Sequence, residues 1–367
     1  MKSFFLKTAL AMASVLLTEG AIAQAQKLSY VHASELGRVG QILPTSNQFH
    51  RIDTATYPKL PAVVKTLLTQ SAGKAFVFKT NSKTIAAKWC VSTRKQSNNL
   101  TPINQKGLDL YIKRQGEWIW AGVGRPDKNC NEQTIVADMD GSEKECLLYL
   151  PLYDETISLE VGVENGSKIA AGASPFNKRI LIYGSSIAQG ASASRPGLAY
   201  PALLSRRTGL DFLNLGLSGN AKMHREVVDM IIDIPADAYI LDCVPNSSPA
   251  EIKERTAYLV NSIRKKYPKT PIIMIQSLVR EQGNWNNTTK ERVAAQNQSF
   301  QVEFDALISK GVKDLYFIKE TNFLGTDHEG TVDGTHPNDV GFERFVNVIE
   351  PQIINILKKY KLAEGAK

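Results

Sequence analysis

Four short segments of this chain hold the residue types that acyl transfer requires. Tyr183-Gly184-Ser185-Ser186-Ile187-Ala188-Gln189-Gly190 offers a serine hydroxyl between glycines that permit a tight turn. Asn214-Leu215-Gly216-Leu217-Ser218-Gly219-Asn220 and Asp242-Cys243-Val244-Pro245-Asn246 offer backbone and side-chain N–H donors. In Val332-Asp333-Gly334-Thr335-His336-Pro337 an imidazole follows a carboxylate by three residues. That spacing lets Asp333 accept from one ring nitrogen of His336 while the other faces a hydroxyl. A nucleophile, a base, a group to orient the base and donors for an oxyanion complete the requirement.

The surrounding elements give these segments a common edge. From residue 174 onward strands and helices alternate: strand Arg179–Gly184, helix Gly197–Arg207, strand Phe212–Gly216, helix Arg225–Asp233 and strand Ala238–Cys243. Helix Pro249–Tyr267, strand Pro271–Gln276, a helix near Lys290–Lys310, strand Leu315–Lys319 and a closing helix from about Asn338 to Tyr360 follow. Apolar strands alternating with helices predict a three-layer α/β/α domain around a mostly parallel sheet. Ligands of such sheets bind beyond the carboxyl ends of the strands, where the first three segments lie.

The preceding part has another rhythm. Short β-rich runs at Phe76–Lys79, Ile85–Val91, Leu108–Lys113, Trp118–Val123, Cys146–Leu150 and Ile157–Glu164 are separated by polar turns such as Asn98-Asn99. They predict an antiparallel, jelly-roll-like β-sandwich, with one helix at Leu60–Thr69. The expected organisation is a signal peptide over 1–23, a sandwich domain over 24–173 and the α/β domain over 174–367, the two domains abutting. Lys2 and Lys7 flank the apolar run Ala9–Leu17, and Ala21-Ile22-Ala23 supplies small residues for cleavage, the pattern of an exported chain.

Composition narrows the function classes. With 367 residues, 43% hydrophobic and 22% charged, the chain is long enough for two cores and too mixed for a fibrous or disordered protein. Its net charge of +8 comes from scattered Lys and Arg, mostly single or in pairs such as Arg206-Arg207 and never more than three in a row, so nucleic-acid binding is not expected. No stretch beyond the N-terminus is apolar enough to span a membrane. Cys90, Cys130, Cys146 and Cys243 form no Cys-x-x-Cys pair, which excludes zinc-ribbon and thioredoxin readings. An oxidising compartment would permit one disulfide among the first three, with its connectivity open.

Taken together, the four segments resemble the conserved blocks of the GDSL/SGNH hydrolase family over about residues 175–360. The resemblance implies a nucleophile at Ser186, oxyanion donors at the amides of Ser186 and Gly219 and the side chain of Asn246, and a base and its orienter at His336 and Asp333. Ser185 departs from the family's usual Asp, and Ser247 stands where Asp is commoner. Gly107-Leu108-Asp109-Leu110-Tyr111 resembles the Gly-x-Asp-Leu-Tyr motif of one bacterial branch, in which a β-sandwich precedes the hydrolase domain.

The expected function is therefore an exported serine esterase acting on short acyl esters, acetyl groups of a carbohydrate first, without metal or other cofactor. A lipase or lysophospholipase and a sugar acyltransferase would use the same residues; a glycan-binding protein with a relic hydrolase domain is the non-enzymatic alternative. Arg195 and His224, on the loops after the first two blocks, are candidate substrate contacts. Trp118 and Trp120 share one face of a strand, as a core pair or a carbohydrate platform. Asp327-His328 with Asp333 and His336 lacks helical metal-ligand spacing, Cys243 reads as a packing residue, and no Gly-x-Ser-x-Gly elbow is present. Glycan identity, hydrolysis against transfer and oligomeric state have no signature in these motifs.

Overall fold

The computed structural model describes residues 27–363, so the expected signal peptide lies outside the described residues. Ten strands form the first unit: β1 (Leu28–His32), β2 (Gly37–Val39), β3 (Ala75–Thr80), β4 (Ile85–Val91), β5 (Leu108–Arg114), β6 (Glu117–Gly124), β7 (Cys130–Val136), β8 (Lys144–Tyr149), β9 (Thr156–Glu164) and β10 (Ile169–Ala171). One sheet runs β1-β9-β4-β7 and the other β10-β3-β8-β5-β6, with β2 also on β3. All these pairings are antiparallel. Alternating side chains send Phe76, Phe78, Trp89, Leu110, Leu148 and Val161 into the space between the sheets.

Strands β1, β2, β7 and β10 have no counterpart in the sequence reading. β7 reads Cys-Asn-Glu-Gln-Thr-Ile-Val on a sheet edge, mostly polar and partly exposed, so hydrophobicity does not flag it. Conversely, β3 is apolar on successive residues because both of its faces are covered. Phe76 and Phe78 face the sandwich core, while Ala75 and Val77 join Tyr111, Tyr149, Phe176 and Ala202 in a cluster at the junction with the second unit.

The second unit carries five parallel strands, β11 (Asn177–Gly184), β12 (Leu210–Gly216), β13 (Ala238–Asp242), β14 (Ile272–Ile275) and β15 (Leu315–Ile318), in the order β12-β11-β13-β14-β15. Eight α-helices occur along the described residues: α1 (Ala62–Thr69), α2 (Pro102–Lys106), α3 (Ser186–Gln189), α4 (Tyr200–Thr208), α5 (Arg225–Ile231), α6 (Pro249–Lys266), α7 (Asn287–Ser309) and α8 (Asp339–Lys358). Helices α4 and α8 bury Tyr200, Leu204, Phe342, Phe345 and Ile349 against one face of the parallel sheet. Helices α5, α6 and α7 cover the other with Val227, Leu259, Val260 and Phe300. This is the α/β/α layering expected from the alternation of elements.

Chain order and packing part company at α1. Its Val64, Leu67 and Leu68, with Ile42 and Ile52, sit in the same core as Leu213, Leu215 and Val227 of the second unit. Arg51, fully buried, fastens this segment to the end of β12 by donating to the carbonyls of Leu67, Gln70, Asn214 and Gly216 at 2.6–3.1 Å. Burial lowers its pKa to about 10, which leaves the guanidinium charged at neutral pH.

Candidate active site

Strand β11 lies between β12 and β13, so the chain steps to one side and then to the other. The loops diverge at that reversal and leave a crevice at the carboxyl edge. Ser186 enters it directly after β11. Ser185, the departure from the family pattern, caps α3: its hydroxyl accepts from the Ile187 amide at 3.2 Å. Close approach of the chain sets Ser186 in place. A side chain at Gly216 would lie 2.2 Å from the Gln189 nitrogen, so glycine there lets the turn seat against β12.

The hydroxyl of Ser186 lies 2.9 Å from His336 Nε2, and His336 Nδ1 lies 2.7 Å from Asp333 Oδ2. Asp333 is held from both sides. Its Oδ1 accepts from the amides of Thr335 and His336 at 3.0 and 2.8 Å, an Asx-type turn that Gly334 completes with φ of +79°. A bridge between Thr331 and Pro337 closes this loop, and Asn338 then caps α8. Partial burial opposes ionisation of Asp333, but the hydrogen bonds from the His336 amide and ring and from Asn99 outweigh it, holding the carboxyl at about 2. An ionised carboxylate therefore faces Nδ1, which leaves Nε2 free to accept the Ser186 proton.

Gly219 and Asn246 lie on the loops that follow the two strands flanking β11. Leu217 O accepts from the Asn220 amide at 2.8 Å, a four-residue turn whose third position, Gly219, has φ of +70°. Asn246 Oδ1 accepts from the Ala221 amide at 3.3 Å, which links the two loops and leaves the Nδ2 end to donate. Ser247, the second departure from the family pattern, is buried, with its hydroxyl near Ala221 O at 3.4 Å.

The other wall comes from the sandwich, which the sequence reading did not place at the site. A cleft of about 250 Å³ is lined by Leu67, Arg94, Asn99, Tyr153, Ser218 and His336 among others. Asn99 Nδ2 donates to Asp333 Oδ2 at 3.1 Å and lies 3.3 Å from His336 Nδ1. Tyr153 Oη donates to Ser186 O at 3.0 Å, and Asn104 Nδ2 donates to Gly190 O and Ala193 O, both at 2.8 Å. Asn98-Asn99 reads in sequence only as a turn; no local pattern marks it as a partner of residues 234 positions away.

Arg195 and His224 are located elsewhere than the cleft lining. Arg195 makes an ion pair with Asp109 at 2.9 Å, donates to Tyr111 Oη and lies over the Tyr111 and Trp120 rings, while the Gly197 amide donates to Asp109 Oδ2 at 2.8 Å. Arg195 is thus committed to the Gly-x-Asp-Leu-Tyr strand, fastening the loop after Ser186 to the sandwich. Trp118 packs at the same junction and Trp120 donates to Asp109. His224 lines a separate pocket with Arg225, Glu254, Arg255 and Tyr258. Asp327 and His328 are taken by Arg344 and Glu281. Cys90 and Cys130, direct partners across β4 and β7, form a disulfide, whereas Cys146 and Cys243 are free and buried. Burial pushes the Cys243 thiol well above its usual pKa, which suits a packing residue.

Comparison with known proteins follows the same division. The profile of the GDSL-like lipase/acylhydrolase family matches residues 177–354, and that of GxDLY, the N-terminus of SGNH-hydrolase-type esterases, matches residues 28–169. A crystal structure from Bacteroides ovatus ATCC 8483, of a protein classed as a GDSL-like lipase, is 56% identical, with a TM-score of 0.90 over 90% of this chain and 98% of that one. The salicylyl-acyltransferase SsfX3 from a tetracycline biosynthetic pathway shares the fold at 20% identity, with a TM-score of 0.71 over 90% of this chain and 97% of that one. A family two carbohydrate esterase from Cellvibrio japonicus shares it at 11% identity, with a TM-score of 0.58 over 91% and 99%. A family two carbohydrate esterase from Clostridium thermocellum, in complex with cellohexaose, shares it at 10% identity, with a TM-score of 0.57 over 78% and 93%. Among curated proteins no match to the chain is found.

Proposed function

Because the chain belongs to the GDSL-like lipase/acylhydrolase family, with a GxDLY N-terminal unit, we propose that it is an exported serine esterase that removes short acyl groups, acetyl first, from a carbohydrate. The observation that carries this reading is the unbroken line from Ser186 Oγ to His336 to Asp333. Ala191, a small residue after the nucleophile, lines the cleft and suits a short acyl chain. Fold relatives that are carbohydrate esterases, one of them holding cellohexaose, favour a sugar as the alcohol. The disulfide Cys90–Cys130 suits an oxidising compartment, in keeping with the N-terminal export signal.

The mechanism has two steps. His336 Nε2 takes the Ser186 proton as Oγ bonds to the ester carbonyl carbon, and the amides of Ser186 and Gly219 with Asn246 Nδ2 hold the developing oxyanion. As the bond from the carbonyl carbon to the sugar oxygen breaks, His336 gives that proton to the departing oxygen, releasing the sugar alcohol and leaving an acyl-serine. Water attacks the acyl-serine with His336 again as base, and His336 passes the proton to Ser186 Oγ as the bond to the acyl carbon breaks and the acid is released. Asp333 stays ionised and holds the imidazolium that forms in each step. The test is hydrolysis of p-nitrophenyl esters from acetate to octanoate by wild type and Ser186→Ala. Turnover of acetate that falls with chain length and disappears in the variant supports the reading; activity retained by Ser186→Ala overturns it.

A further inference from the structure

Two guanidinium groups near the Asp333–His336 pair, Arg94 and Arg280, make no ion pair among the described residues. Arg94 lines the cleft from the sandwich side together with His336. The acid whose field reaches it, Asp154, is already engaged by Ser92 Oγ and by Lys106 Nζ at 3.6 Å. Arg280 stands on the opposite side, with Nη2 donating to Pro245 O at 3.0 Å beside Asn246. Its charged neighbours are Arg292 and Asp333, and Asp333 is committed to His336 and Asn99. Arg280 thus has no carboxylate to itself, the Asp333 charge beside it being shared with His336.

The same rim presents an aromatic face. Trp285 is 95% exposed, far more than any other large apolar side chain of the described residues. Its segment is fixed to the site: Gln282 Nε2 donates to Asp333 O at 3.0 Å, the Trp285 amide donates to Gln282 O at 3.2 Å, and Glu281 holds His328. A solvated indole on a segment hydrogen-bonded to the Asp333 loop, with arginines that have no carboxylate of their own beside it, is the complement of a ring that is apolar on one face and anionic at its edge.

Resting on the esterase reading above, we propose that the acylated sugar carries a carboxylate or sulfate group, which Arg94 and Arg280 grip beside the scissile ester while Trp285 receives the sugar face. The substrate class is thus an O-acylated acidic glycan.

The experiment compares kcat/KM for matched O-acetylated oligosaccharides of galactose, galacturonic acid and galactose 6-sulfate, with p-nitrophenyl acetate alongside. Wild type should prefer an acidic substrate over the neutral one by roughly 10- to 100-fold, the size of a charged hydrogen bond. The favoured acid identifies the anion. Arg94→Gln and Arg280→Gln should each remove most of the preference, raised salt should weaken it, and Lys310→Gln, an equal charge change remote from the site, should keep it. Trp285→Ala should raise KM for the sugars several-fold. Turnover of p-nitrophenyl acetate with no acidic preference, or a preference lost equally in Lys310→Gln, would overturn the proposal alone. An absence of turnover on every ester would overturn the esterase reading and this proposal with it.

Discussion

Asn99 of the sandwich and Asp333 of the α/β unit, 234 residues apart, share a hydrogen bond on the carboxylate oxygen that also faces the imidazole of His336. The sandwich therefore contributes to the site itself. Asn99→Ala should lower kcat about tenfold with little change in KM, since it removes one hydrogen bond to a charged group that orients the base. Asn99→Asp should be worse, because it places a second carboxylate against Asp333. A loss that appears in KM alone would assign Asn99 to substrate binding instead.

The Ser186, His336 and Asp333 substitutions should not add. Ser186→Ala and His336→Ala should each abolish nearly all turnover, and the double variant should be no worse than either, because the two act as one unit. Asp333→Asn should cost roughly 10³- to 10⁴-fold through the wrong imidazole tautomer. Single-turnover kinetics on p-nitrophenyl acetate, with melting curves to show that the fold is kept, decides between these outcomes and an additive series.

The two proposed oxyanion donors should separate by chemistry. Asn246→Ala deletes a donor and should cut kcat by about 100- to 1000-fold. Gly219→Ala keeps its amide and meets nothing within 4 Å, so its penalty is the strain of φ at +70°, about 1 kcal/mol of stability, with a smaller kinetic loss. Equal kinetic losses in the two variants would contradict the assignment.

Asp242, at the end of β13, is fully enclosed and accepts from Tyr200 Oη at 2.8 Å; burial raises its carboxyl to about 7 against this bond. The folded state holds the proton more tightly than the unfolded one. Its contribution is complete below about pH 4 and is lost as pH rises to about 7, amounting to a few kcal/mol. Asp242→Asn should therefore gain stability relative to wild type between pH 4 and 8, read as the shift in urea midpoint. A difference that stays constant with pH would mean that Asp242 is not protonated in the folded protein.

Much of the site is legible in sequence because its parts are local. An apolar strand followed by a polar turn puts the residue after the strand at the sheet edge, whichever strand it is. Ser186, Gly219 and Asn246 follow β11, β12 and β13, three neighbours in the sheet, and Asp333 reaches His336 within a single turn. Element boundaries held to within a few residues for the same reason: Pro249–Tyr267 is observed as Pro249–Lys266, and Asn338 is the cap of α8.

Tertiary structure decided what depends on pairing across distance. Strand register, which places Cys90 directly opposite Cys130, selected the disulfide. Asp109 drew Arg195 away from the expected substrate contact into the junction. Packing moved α1 into the core of the α/β unit and brought Arg94 and Asn99 over His336. The residue types at these positions were visible throughout, but a hydrogen bond between groups more than 200 residues apart leaves no periodicity in the chain. Local side-chain chemistry specified the reacting groups; burial and register, properties of the whole fold, chose the neighbours that hold them.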